Sequence, residues 1–279
     1  MAGEIGAGRR FTVDDLSRLL PLGQAARRVV SLAPSCTDSL LAIGARERFI
    51  AADEHSELPA GLTSLPRIGG FKTVDLEGVI SLRSDLVLAA SLHVVSAIPW
   101  LEARGIRVFA MLPHTVDGIV DGMARLAALL DLARDAAPYI AVCRQRVARV
   151  VERALRVRQR PLIYVECSPE GHTGGPQSFL DDLVTKAGGI NLGGVARVEW
   201  PVLPPAMIRR FDPDVIVIAA YPGSATRETV AAREGWDRLA AVKSGRVYEL
   251  SAAMLKRPGP TVIEGLERLA DLLADYSRA

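Results

Sequence analysis

Four histidines, a loop tryptophan and a cysteine at a strand-to-helix turn are the side chains of this chain best suited, by type and placing, to do chemistry. Each histidine follows a stretch that reads as a strand: His55 after 49–52, His93 after 86–90, His114 after 107–111 and His172 after 162–165. In open parallel sheets ligands bind beyond the carboxyl ends of the strands. Singly, each histidine reads equally well as a solvated loop residue; as a set they point to a ligand opening. Neutral imidazoles with a carboxylate such as Glu166 would suit zinc or manganese, but no pair shows His-x-x-x-His spacing.

Trp200, in Val198-Glu-Trp-Pro-Val, follows a Gly-rich segment where an indole has little local core to join, so it reads as a flat wall for a planar ligand. Phe71, in Gly69-Gly-Phe-Lys, is its counterpart in the first half, and Tyr221 follows a strand and faces the same gap. Trp100 and Trp236 lie on helical faces and read as core. Cys36, in Pro34-Ser-Cys-Thr, sits where a helix N-terminus favours a thiolate, but no His or Asp position completes a triad. Ser35, Thr37 and Ser39 read as helix caps. Gly171-His-Thr-Gly-Gly-Pro has the look of a phosphate cradle, but no Lys-Ser/Thr follows, which argues against a nucleotide loop.

These residues need a scaffold, and the pattern supplies one twice. Leu76-Glu-Gly-Val-Ile-Ser-Leu-Arg-Ser-Asp-Leu-Val-Leu-Ala-Ala and Pro205-Ala-Met-Ile-Arg-Arg-Phe-Asp-Pro-Asp-Val-Ile-Val-Ile-Ala-Ala share a short amphipathic helix, an aspartate (Asp85, Asp214) and an apolar strand. Val30 pairs with Ile163 and Val108 with Val247 in the same echo. Strands alternating with helices predict α/β architecture, with mostly parallel sheets in two similar lobes. The first lobe spans 1–116, opening on a polar leader with a weak strand at 11–13. Residues 117–158 are helical almost without a break, kinked or split at Pro138. At about 1.5 Å per residue this single helix is on the order of 60 Å long, enough to link the lobes and to limit their opening. The second lobe spans 159–279, with helices at 178–186, 206–210, 227–241 and 261–276.

The chain has 279 residues, 49% of them apolar and 24% charged, the balance of a globular protein able to bury a core. Its 34 basic and 32 acidic residues are interspersed, giving a formal charge of +2 and no footprint for nucleic acid or an anionic membrane. Three cysteines without metal-type spacing indicate neither a disulfide framework nor a zinc knuckle, and a Cys36–Cys167 bridge stays open. No run approaches the roughly 20 apolar residues of a membrane span. The first 20 residues carry charges where a signal peptide has its apolar centre, so a chain of this extent is expected to stay where it is made.

Arg28-Val-Val-Ser-Leu-Ala-Pro-Ser-Cys-Thr-Asp-Ser-Leu-Leu-Ala-Ile-Gly-Ala, Leu76-Glu-Gly-Val-Ile-Ser-Leu-Arg-Ser-Asp-Leu-Val, Ser178-Phe-Leu-Asp-Asp-Leu-Val-Thr-Lys-Ala-Gly-Gly-Ile-Asn and Phe211-Asp-Pro-Asp-Val-Ile-Val-Ile together resemble the substrate-binding proteins of iron-siderophore and vitamin B12 ABC importers. The resemblance runs from about Phe11 to the C-terminus and implies the helical-backbone periplasmic-binding-protein fold. Val198-Glu-Trp-Pro is similar to the loop carrying the corrinoid-facing Trp of the cobalamin-binding branch. By the same resemblance Phe71 and His55 stand where aromatics line the pocket, His172 where a Phe does, and Arg257 where an Arg meets the ligand's rim. The implied ligand set is Ser35, His55, Phe71 and His93 from the first lobe with His172, Trp200, Tyr221 and Arg257 from the second, around a corrinoid such as cobalamin. A ferric siderophore, haem, or zinc or manganese are the alternatives. The resemblance implies a monomer that binds and releases without catalysis or a cofactor. Family members dock on an ABC permease through one carboxylate per lobe; Glu77 matches the first, and Ala206 replaces the second. A periplasmic location follows from the resemblance, a cytoplasmic one from the leader.

Overall fold

The computed structural model describes residues 3–4, 10–70 and 73–276; Phe71, one of the expected ligand-facing aromatics, lies outside the described residues. The chain divides into two compact units, one made of Met1–Pro113 with Gly118–Cys143, the other of His114–Asp117 with Arg144–Ala279.

In the first unit, β1 (Gly3–Glu4), β2 (Arg10–Val13) and β3 (Leu19–Pro21) form a small antiparallel sheet. The leader is therefore more structured than its polarity suggests. Asp14 is the reason: its Oδ1 accepts from the N–H groups of Leu16 and Arg18 at 3.0 Å each, and its Oδ2 from the N–H of Ala110 at 3.1 Å. One buried carboxylate thus builds the turn and fastens it to the main sheet.

That sheet comprises β4 (Val29–Ser31), β5 (Phe49–Ala52), β8 (Leu86–Ala89) and β9 (Val108–Ala110), all parallel in the order β5-β4-β8-β9. Continuous apolar runs make such strands because both faces are covered by helices. Between them lie α1 (Pro34–Ala42), the two-stranded turn β6 (Gly69–Gly70) and β7 (Thr73–Val74), α2 (Leu76–Ser81) and α3 (Ala97–Glu102). Pro34 opens α1, because the first turn of a helix needs no N–H from it.

The helical stretch expected over 117–158 with a kink or split at Pro138 is two helices, α4 (Val116–Leu129) and α5 (Ala133–Ala154), and Pro138 is not the breakpoint. The break falls at Asp131, whose left-handed φ of 54° lets Leu132 N–H close back on Ala127 O at 2.8 Å. Pro138 lies inside α5, on its exposed side, and the helix runs through it. The division between units falls inside α5. Among the described residues no helix is long and apolar enough to cross a membrane.

The second unit repeats the sheet as β11 (Ile190–Asn191), β10 (Leu162–Glu166), β12 (Val215–Ala220) and β13 (Val247–Ser251), parallel in the order β11-β10-β12-β13. Its helices are α6 (Phe179–Lys186), α7 (Pro205–Phe211), α8 (Arg227–Ala231), α9 (Ala240–Lys243), α10 (Ala252–Lys256) and α11 (Thr261–Tyr276). Ser178 caps α6, its side chain accepting from Asp181 N–H at 3.1 Å. The expected helix over 227–241 is instead α8, a 3-10 turn and α9, because Gly235 takes a left-handed φ of 74° between them.

The internal echo holds atom by atom. Asp85 accepts from the N–H groups of Arg27 and Arg28 at 2.8 and 2.9 Å, and Asp214 from Leu162 N–H at 2.8 Å, so each aspartate pins the start of the neighbouring strand. Two residues before each, Arg83 and Asp212 take the same left-handed turn, with φ of 48° and 47°.

Candidate functional site

In the first unit Ser35 follows β4, His55 follows β5 and His93 follows β8, so all three come from the carboxyl ends of parallel strands. A polar network missed in the sequence holds this end together. Thr37 Oγ1 bonds Ser31 Oγ at 2.9 Å and Ser56 Oγ at 2.7 Å, and Ser56 donates to the fully buried Asp53. Asp53 Oδ1 also accepts from His55 N–H at 2.9 Å, fixing the turn that presents an exposed His55 ring, with Glu54 at 3.5 Å from its Nε2. An Asp-x-x-Ser turn after a strand is the signal that could have found it.

His93 behaves differently from the expectation that it lines the opening. It is 1% exposed, and its Nδ1 accepts from Ala90 N–H at 3.1 Å. The imidazole closes its own turn. Ser35 is also buried, its carbonyl accepting from Ser39 Oγ at 2.8 Å.

In the second unit the expected residues cluster on linked loops. Residues 171–175 run alongside 199–203 as an irregular ribbon: Leu203 N–H donates to Gly171 O at 2.9 Å, Thr173 N–H to Pro201 O at 3.0 Å and Gly175 N–H to Glu199 O at 2.7 Å. The Gly-rich motif is thus a backbone-packing device and not a phosphate cradle. A Cβ on Gly175 would meet Val198 O at 2.2 Å, and one on Gly171 would meet Leu203 O at 2.6 Å, so only glycine lets these segments approach.

The ribbon displays Trp200, 40% exposed, with its ring against Phe179 at a centroid distance of 5.6 Å and a tilt of 55°. Val198 and Val202, about half exposed, extend it into an apolar ridge on a loop where apolar side chains are not needed for the core. His172 lies on the same ribbon, its exposed ring bonded through Nδ1 to Ser168 Oγ at 2.9 Å. Tyr221 follows β12 with the Lys256 ammonium 4.3 Å from its ring centroid, and Lys256 donates to Cys167 O at 2.8 Å. Desolvation and the nearby Glu170 raise the Tyr221 phenol above its usual range. Arg257 follows Lys256 at the end of α10. Lys256 is the member that sequence reasoning did not single out.

The remaining chemical candidates are absorbed by the core. Glu166, 1% exposed, forms a two-point pair with Arg233 at 2.5 and 2.8 Å, and that guanidinium lies 4.7 Å from the centroid of the buried Trp236 ring. Among the described residues no three His, Cys, Asp or Glu side chains come together as an ion site. A hollow of about 370 Å³ lined by Val151, Ala154, Leu155 and Arg160 lies before the start of β10, away from the strand-end loops.

Burial pushes the Cys36 thiol up to about 12, overriding the helix N-terminus that suggested a thiolate, and does the same to Cys167. None of the three cysteines forms a disulfide, and all three are buried. At about pH 8, Ellman's reagent is expected to label the folded protein at least an order of magnitude more slowly than the protein in urea. Rapid labelling of Cys36 in the native protein, followed by mass spectrometry, would contradict this.

Residues 29–254 match the family model described as periplasmic binding protein. The chain is 27% identical over 267 residues to a cobalamin-binding protein of Halobacterium salinarum, covering 92% of this chain and 72% of the relative. The crystal structure of the periplasmic vitamin B12 binding protein of Vibrio cholerae superposes with a TM-score of 0.75 at 22% identity, covering 91% of this chain and 98% of that one. A periplasmic heme-binding protein from Roseiflexus does so with a TM-score of 0.78 at 21% identity, covering 91% and 100%.

Proposed function

Since this chain belongs to the periplasmic binding protein family, we propose that it captures a corrinoid and releases it unchanged, as the substrate-binding component of an ABC importer or a soluble relative of one. The observation that carries this reading is the Trp200 ridge, an apolar surface built by a glycine-dependent ribbon at the carboxyl ends of the second sheet. A corrin is a broad, nearly flat ring with amide arms. It suits an apolar wall bordered by polar tips, which His172, Tyr221 and Arg257 supply from this unit. Cobalamin-binding relatives support the choice of ligand over a ferric siderophore or a bare metal ion.

The reading places the protein outside the cytoplasmic membrane, handing its ligand to a permease. Glu77, exposed in the first turn of α2, is the docking carboxylate of the first unit. In the internal echo Ala206 of α7 holds the sequence position that Glu77 holds in α2, so docking by the second unit does not use a carboxylate there.

Titration with cyanocobalamin, followed by tryptophan fluorescence and the melting temperature, tests the proposal. A ligand at about 100 times its Kd stabilises the folded state by about 2.7 kcal/mol. Trp200→Ala is expected to weaken binding at least tenfold while the circular dichroism spectrum stays unchanged. Undiminished affinity would remove Trp200 from the site, and no binding of any corrinoid by the unaltered protein would remove the reading.

A further inference from the structure

His114 stands outside the ligand set implied by resemblance, yet its surroundings single it out from the other histidines. Its Nδ1 lies 3.0 Å from Gln177 O and 3.2 Å from Glu199 Oε1. A carbonyl oxygen and a carboxylate oxygen only accept, so Nδ1 carries the proton, and the lone pair of the neutral ring is on Nε2. A histidine backed by a carboxylate or carbonyl in this way is oriented and made more basic for coordination through its other nitrogen. The side chain is 62% exposed, so a ligand can reach it.

The supports are built into the ridge already described. Glu199 immediately precedes Trp200, and its carbonyl is held by Gly175 N–H at 2.7 Å. Gln177 takes a left-handed φ of 68°, a conformation unusual for a residue other than glycine. Residues 114–117 are themselves tied to α6: Val116 N–H donates to Asp182 Oδ2 at 2.8 Å, and Lys186 bridges Asp182 and Asp117 at 2.6 and 3.2 Å. The other histidines lack this preparation. His93 spends its Nδ1 lone pair on Ala90 N–H, His55 has Glu54 beside its Nε2, and His172 faces a hydroxyl that can donate or accept.

We propose that His114 Nε2 is an axial ligand to the metal, cobalt or iron, at the centre of a planar macrocycle lying against the Trp200 ridge, with Glu199 and Gln177 as its positioning groups. The assignment rests on the corrinoid reading and narrows it to ligands with an exchangeable axial position. In the binding step a metal-bound water leaves and the imidazole nitrogen takes its place, with no change of oxidation state.

The test titrates the full protein with aquacobalamin and, separately, with hemin, and records the visible spectrum. The unaltered protein is expected to give imidazole-ligated spectra. His114→Ala is expected to bind both probes about 10–100-fold more weakly and to leave the water-ligated spectrum, which added imidazole converts. Glu199→Gln should give an intermediate loss. The circular dichroism spectrum and melting temperature of His114→Ala should match those of the unaltered protein, which separates coordination from folding, and cyanocobalamin, whose upper position is blocked by cyanide, should give no imidazole-ligated spectrum with either. Identical aquacobalamin and hemin spectra for the two proteins, with cyanocobalamin still bound, overturn His114 alone. Failure of all three probes to bind overturns the function and this assignment together.

Discussion

Arg233→Ala is expected to lower the stability of the second unit by about 3 kcal/mol, at the lower end of what breaking a buried ion pair costs. Glu166 is the reason. Its carboxylate is all but fully buried at the end of β10, and both oxygens are satisfied by the Arg233 guanidinium. Removing the arginine leaves an acceptor that needs solvation in a place water does not reach. The lower end applies because the Arg233 side chain is itself 26% exposed, so some water follows the deletion. Packing loss adds a little, since the guanidinium also covers the Trp236 ring. Urea unfolding read by far-ultraviolet circular dichroism measures the change. The double variant Glu166→Leu with Arg233→Met should recover most of it, because an apolar pair of similar volume has no charge to desolvate. A loss below about 1 kcal/mol for Arg233→Ala would show that the pair is not what secures this end of β10.

Gly175→Val is expected to damage binding as well as folding. A Cβ there meets Val198 O, a backbone atom that cannot rotate aside, so the strain is relieved by separating 171–175 from 199–203. Overpacking of this kind costs about 1–3 kcal/mol of stability. An effect of similar size falls on the ridge, because Trp200 is positioned by that ribbon and by Phe179. Corrinoid affinity should drop by about 2 kcal/mol or more, roughly thirtyfold, measured by calorimetric titration beside the melting temperature. Gly223→Val is the control: no atom lies within 4 Å of a Cβ there, although its φ of 90° adds local strain. If Gly175→Val bound like Gly223→Val, the ribbon would not be what holds Trp200 for a ligand.

Much of the fold was legible because its signals are local. Four-residue apolar runs such as Phe49–Ala52 are too short for a typical helix and read as buried strands, and Ser178 with Asp181 marks a helix start by a bond three residues long. The echo around Asp85 and Asp214 foretold two sheets with one strand order, since equal sequences solve equal packing problems. The breaks were less visible. Asp131 stands in a run with helical periodicity, and only its left-handed backbone, closed by Leu132, ends α4. The leader's order also escaped, because Asp14 finds Ala110 far along the chain.

The site was legible as a list of strand-end residues but not as an arrangement. Whether a histidine offers a lone pair depends on what faces each nitrogen: a backbone N–H from Ala90 for His93, a carboxylate from Glu199 for His114. Cys36 shows the same limit, since a helix N-terminus lowers a thiol only where water or charge can reach it, and this one is sealed. By itself the sequence determined the alternation of strands and helices, the duplication and the loops that carry the chemical groups, all set by interactions within a few residues. Burial, tautomer and the close approach of the glycine ribbon were decided only by the tertiary structure, because each depends on groups distant in the chain brought within a few ångströms.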